Sequence, residues 1–194
     1  MQLNYQGTFP QDKEIIAVIG PRRPAPGSSF SEMQQHQRDC AMAYNIAKEA
    51  ARKGIVVLSG LASGIDTAAH WGCLDAGGIT VAVVPFGLQA TVYPPENKWL
   101  YQSIVARGGC IVSQFDPQQP AVKWTFVVRD KTQALLSQKI LVVGTFPPDG
   151  VITGGTKHCA RWARKLKKPL YHYRENNGHY IVLKDADVQI EGNQ

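Results

Sequence analysis

Short apolar runs recur along the chain, each followed by a glycine turn or by a segment with helical spacing. Glu14–Gly20, Ile55–Ser59, Thr80–Val84, Cys110–Ser113, Ile140–Val143 and Leu170–Tyr173 lack polar alternation, as expected for strands covered on both faces. Between them, a capping-box spacing at Ser31-Glu-Met-Gln34 opens a predicted helix that closes at Lys53-Gly54. Further helices are predicted over Ile65–Ala76, Lys98–Ala106, Thr125–Leu136 and Thr156–Lys167. Strand–helix alternation of this kind predicts an α/β fold: a doubly wound, mainly parallel sheet of about six strands with helices on both faces. Asn176-Asn-Gly178 is a turn signal, so Tyr180–Leu183 is expected to add an antiparallel edge strand. Residues 1–12 show no period and read as a lead-in, and the acidic tail from Asp185 is expected to fray. One domain over residues 1–194 follows, with its core at about 14–173 and the edge strand and tail at 174–194.

Two glycine turns would share the carboxyl-terminal rim of such a sheet, where ligands of open α/β sheets bind. Ser59, Gly60, Ser63 and Gly64 lie between a strand and a helix, and Gly154, Gly155 and Thr156 repeat the arrangement after the fifth predicted strand. Free N–H groups at a helix start attract phosphate, so both turns are candidate phosphate sites. The first is equally compatible with a plain strand-to-helix connection in which Asp66 serves as a first-turn acid. Arg22 and Arg23 sit on a proline-stiffened loop at the same rim. Asp66 and His70, four residues apart, are expected to hydrogen-bond and fix the first turn rather than to act as an acid–base pair.

Composition narrows the function classes. An apolar fraction of 44% with 19% charged residues is ordinary for a globular chain. No run is long and apolar enough for a membrane helix, and the N-terminus lacks a signal-peptide pattern, so no membrane association and a cytoplasmic location are expected. Cys40, Cys73, Cys110 and Cys159 have no C-x-x-C spacing, and no metal site or cofactor is argued. A net charge of +6 favours polyanionic partners. Lys157, Arg161, Arg164, Lys165 and Lys168 fall on one side of the last predicted helix, either as a solvated face or as a track for a polyanion. No P-loop pattern is present, which argues against ATP hydrolysis of that kind.

Ile16-Ala-Val-Ile-Gly-Pro-Arg-Arg-Pro24, Val57-Leu-Ser-Gly-Leu-Ala-Ser-Gly-Ile-Asp66 with Ala69-His70, and Tyr93-Pro-Pro-Glu-Asn97 resemble, in content and order, the DNA-processing protein A (DprA/Smf) family. Phe126-Val-Val-Arg129-Asp-Lys-Thr-Gln-Ala-Leu-Leu-Ser137 is similar to that family's F-x-x-R-N-R-I-I-A-x-L-S segment. The resemblance implies a Rossmann-like, non-enzymatic protein that binds single-stranded DNA, often as a homodimer. It also implies a role in recombination or DNA uptake through loading of a RecA-type recombinase. Its DNA pocket carries over onto Arg22 or Arg23, Lys123 and Arg129, with Phe126 as a stacking residue. The family's R-N-R is here Arg129-Asp130-Lys131, an acid in place of an amide. Relatives add an N-terminal helical module or a C-terminal winged helix, for which this length leaves no room. Thr153-Gly154-Gly155-Thr156 resembles the P-G-G-x-G-T loop of nucleotide-binding Rossmann-like proteins that include phosphoribohydrolases and cofactor carriers. The hydrolases' catalytic glutamate position is Cys159 here, so the alternative reading is a nucleotide-binding sensor or carrier without turnover.

Overall fold

The computed structural model describes residues 2–192. Its strands are β1 (Asn4–Gly7), β2 (Ile15–Ile19), β3 (Val56–Ser59), β4 (Thr80–Val83), β5 (Cys110–Ser113), β6 (Lys139–Val143), β7 (Leu170–Asn176) and β8 (His179–Lys184). Its helices are α1 (Phe30–Arg52), α2 (Ile65–Asp75), α3 (Lys98–Ala106), α4 (Lys123–Leu136) and α5 (Thr156–Lys165). All strands join one sheet in the order β1-β5-β4-β3-β2-β6-β7-β8. The central pairings from β5 to β7 are parallel, whereas β1 on β5 and β8 on β7 are antiparallel.

The sheet therefore has eight described strands rather than about six, because two antiparallel strands cap its edges. One of them, β8, matches the expected edge strand. The other, β1, is an addition: only four residues long and mostly exposed, it carries no apolar period and gains its identity from pairing with Cys110–Ser113.

Alternation along β2 divides the core. Ile15, Ala17 and Ile19 face a layer that includes Ala134 of α4 and Cys159, Ala160 and Ala163 of α5. Ile16 and Val18 face Ala43, Ala47 and Ala50 of α1 and Ile65, Ala69 and Cys73 of α2. Small residues on α1 and α2 let these helices lie close together. At Gly72, a Cβ would come within 2.2 Å of the Tyr44 carbonyl oxygen.

Three local expectations are corrected. The first helix is capped by Ser29, not Ser31: Ser29 Oγ accepts from Glu32 N at 3.2 Å and Ser29 N donates to Glu32 Oε2 at 2.8 Å. The described part of the tail does not fray, since Val188 and Ile190 are buried and Ile152 pairs with Ile190; residues 193 and 194 lie outside the described residues. His70 turns away from Asp66, donating from Nδ1 to Thr80 Oγ1 at 2.7 Å, and the Thr80 hydroxyl donates in turn to Val57 O at 2.7 Å.

Candidate nucleic-acid interface

Strand order reverses between β2 and β6, which opens a crevice outside their carboxyl ends. The crevice has a volume of about 590 Å³. Gly20 to Arg22 enter it from the loop after β2, and Phe146 with Thr153 to Thr156 enter from the segment after β6. The first turns of α4 close it with Lys123, Phe126, Val127 and Arg129. Phe126, Arg129, Asp130 and Gln133 recur at three- and four-residue intervals, so one side of α4 faces the sheet rim. His172, near the start of β7, donates from Nε2 to Gly144 O at 2.7 Å and meets the Phe146 ring edge-on, which fixes the loop after β6.

The cations divide into two kinds. Arg22, Arg23 and Lys123 are exposed, and among the described residues their side chains make no hydrogen bond or ion pair. The Arg22 guanidinium lies over the Phe126 ring, 4.4 Å from its centroid. Arg129 is only 5% exposed; its Nη1 donates to Val83 O at 3.1 Å and its Nε lies 3.1 Å from Asp130 Oδ1. Two carboxylates share this one guanidinium. Burial raises the Asp66 carboxyl above its ordinary value against the pull of Arg129, and burial pushes Asp130 up to about 6, again opposed by Arg129 and reinforced by Asp66.

The two glycine turns also differ. At the first, Ser59 is buried and donates its hydroxyl to Val18 O at 2.6 Å, which takes it out of reach of a phosphate and corrects its expected role. Gly60 is buried because Arg129 and Asp66 fill the space beside it: a Cβ there would stand 1.6 Å from Arg129 Nη1 and 2.7 Å from Asp66 Oδ2. With the Gln133 amide turned to satisfy both of its ends, its oxygen accepts from Gly60 N at 3.1 Å and its nitrogen donates to Asp130 Oδ1 at 3.1 Å. Gly64 has φ of 98° and pairs with Arg22 as an isolated antiparallel bridge, while Arg23 N donates to Ser63 O at 3.2 Å. Protein atoms thus occupy most of the first turn. The second turn is open, with Thr153, Gly154 and Gly155 exposed at the start of α5 and nothing within 4 Å of a Cβ added at either glycine.

Most of the cations on the basic face of α5 are spent within the chain rather than offered as a track, whereas Lys165 is exposed with its Nζ 4.8 Å over the Trp162 ring. Lys157 pairs with Glu191 at 2.5 Å, Arg161 donates to Glu191 O, and Arg164 donates to Asp185 O at 3.1 Å and to Val188 O. Lys168 donates to Leu135 O at 2.7 Å and to Ser137 O. The bonds of Lys157, Arg161 and Arg164 hold the tail that sequence reasoning left loose, and those of Lys168 tie down the end of α4. A smaller cavity of about 150 Å³ adjoins the crevice across Arg22, Ala62 and Phe126. Sequence reasoning missed its acid, Glu96, and also missed Phe146, His158 and Gln133 in the main crevice.

Fold and crevice define the class: a Rossmann-like α/β protein with a crevice at the topological switch point of its sheet. Residues 1–180 match the family model described as DNA recombination-mediator protein A, and the chain belongs to that family. Protein Smf of Synechocystis is 36% identical over 157 residues, covering 80% of this chain and 35% of that protein. The chain therefore spans about a third of that relative's length. Among solved structures, DNA processing protein A from Helicobacter pylori, described for its single-stranded DNA binding mode, superposes with a TM-score of 0.73 and 25% identity. It covers 98% of this chain and 82% of its own. The molybdenum cofactor carrier protein of Chlamydomonas reinhardtii shares the fold at a TM-score of 0.52 and 22% identity over 83% of this chain and 76% of its own. No described helix is long and apolar enough to cross a membrane.

Proposed function

We propose that this protein binds single-stranded DNA along the switch-point crevice, without turnover. The observation that carries the reading is that Arg22 and Lys123, both free of ion pairs among the described residues, line the same 590 Å³ crevice as Phe126, with the Arg22 guanidinium over its ring. Unpaired cations in the same crevice as an aromatic ring suit a strand whose phosphates meet the cations and whose base stacks on the ring. Arg22, Arg23, Lys123 and the open Gly154, Gly155 and Thr156 turn supply phosphate contacts. Ser63, at the edge of the smaller cavity, is a further candidate. Arg129 acts from behind, bracing Val83 and the Gly60 turn. The single-domain organisation, a cytoplasmic location, a RecA-type recombinase partner and a homodimer belong to the same proposal. Support for self-association comes from the exposed Trp124, Val128 and Leu135 on one face of α4.

Salt dependence tests the reading. Three free cations meeting phosphates give Z of about 3, hence a slope of log K against log[salt] near −2 for an oligothymidylate; engagement of Arg129 as well would bring it to about −3. The open turn at α5 favours a second reading, a mononucleotide held mainly by backbone N–H groups. Such a site would show a shallow slope and no gain with oligomer length, and that result would replace the first reading.

A further inference from the structure

We propose that the 150 Å³ cavity beside Phe126 is a base subsite selective for cytosine, with Glu96 as the residue that discriminates. The inference rests on the single-stranded DNA reading and names the base its second position takes. The cavity shares Arg22 and Phe126 with the main crevice, so a strand stacked on Phe126 brings its neighbouring nucleotide there. A space on the order of 150 Å³ accepts a single six-membered ring. Its walls suit a flat ring: Pro85 and Pro95 offer apolar faces, and Tyr93 stands edge-on to Phe126 with centroids 5.6 Å apart.

Glu96 is the acid in this lining. Among the described residues its carboxylate makes no hydrogen bond or ion pair, although it stands at the border of a cationic crevice. A bare carboxylate beside a polyanion costs binding energy unless the ligand brings it a donor. Cytosine does so through its N4 amino group, whereas thymine turns the O4 acceptor to the same place and is repelled. Adenine carries an amine too, but on a two-ring base too large for this cavity.

Glu96 is held by its neighbour rather than by its own bonds. Buried Asn97 donates from Nδ2 to Leu61 O and to Thr67 Oγ1, both at 2.8 Å. The 3-10 turn Pro95–Asn97 is thereby tied to the loop that forms the opposite wall of the cavity. This fixes the backbone from which the carboxylate reaches the pocket, as discrimination between two pyrimidines of the same ring size requires.

Fluorescence anisotropy of oligodeoxycytidylate and oligothymidylate of equal length, with wild type and Glu96→Gln, tests the assignment. Wild type should prefer the cytidylate by roughly ten-fold, the size of one good base-edge contact. Glu96→Gln presents both a donor and an acceptor, so it should raise thymidylate affinity and bring the ratio close to one. Equal affinities in wild type, or a ratio that survives Glu96→Gln, would overturn the subsite while leaving DNA binding standing. Failure of both oligomers to bind at low salt would overturn the DNA reading and this assignment with it. Glu96→Ala gives a second check: it removes the acceptor without adding a donor and should also abolish the preference.

Discussion

Asp130 should make ligand affinity depend on pH. In the free protein its carboxyl titrates at about 6, so it is ionised at pH 8 and protonated at pH 5. It lines the crevice that is proposed to receive phosphate and shares Arg129 with Asp66. A phosphate about 8 Å away, at an effective dielectric near 20, would raise its pKa by roughly 1.5 units. Binding then takes up a proton, and affinity should increase by roughly 20-fold between pH 8 and pH 5, mostly across the interval just above 6. Asp130→Asn should bind at pH 8 about as tightly as wild type does at pH 5 and should lose most of the pH dependence. Arg129 keeps Asp66 as counter-charge in that variant, so the buried guanidinium is not stranded. His158 lies in the same crevice but is pushed below its ordinary value, first by burial and then by Lys157 and Arg161. The same raised carboxyl stabilises the folded protein as pH falls from about 6 toward the ordinary carboxylate value, and this limb should flatten in Asp130→Asn. Anisotropy titrations with oligothymidylate at fixed ionic strength from pH 5 to 8 provide the assay. An Asp130→Asn variant with the pH dependence of wild type would refute the reasoning.

Three further outcomes are expected. Arg22→Ala should reduce the salt slope by about 0.7, whereas Phe126→Ala should cost on the order of 1–3 kcal/mol with the slope nearly intact; identical slopes in both variants would contradict the division of labour. Gly60→Ala drives a methyl into Arg129 Nη1 and should destabilise the fold by about 1–3 kcal/mol, read as a lower melting temperature, and an unchanged melting temperature would show that Arg129 moves freely. Truncation after Lys184 removes the buried Val188 and Ile190 together with the partners of Lys157 and Arg161. It should therefore cost several kcal/mol in chemical denaturation, at about 1.5–3 kcal/mol per buried side chain; a loss under 1 kcal/mol would mean that the tail only rests on the surface.

Much of the architecture was legible because β2 to β6 are apolar on both faces and alternate with helices, the pattern of a parallel sheet covered on both sides. The rim positions of Arg22, Lys123 and Phe126 followed from that topology together with the family motifs. What escaped was non-local. Nothing in Asn4–Gly7 announces a strand until Cys110–Ser113 is beside it. Ser29–Glu32 and Ser31–Gln34 share one spacing, and the folded chain selects the first of them as its cap. Ser59 and Gly60 looked like a phosphate turn because a local motif cannot show that Arg129, far along the chain, fills the space the glycine leaves. The cations of α5 looked free for the same reason, since their partners lie in a tail with no pattern of its own.

On the proposed reading, a base stacking on Phe126 meets a ring that the Arg22 guanidinium already covers. An arriving base must evict it, exchanging a cation–π contact of about 0.5–1 kcal/mol at an exposed site for a stack of about 1–3 kcal/mol. The evicted side chain is left charged and unpaired at the lip, where the strand's own phosphate can capture it. Arg22 is thus a place-holder that keeps the ring covered in the empty protein and becomes a clasp once displaced. Arg22→Ala and Phe126→Ala should accordingly fail to add in a double-mutant cycle, because each removes part of the other's exchange.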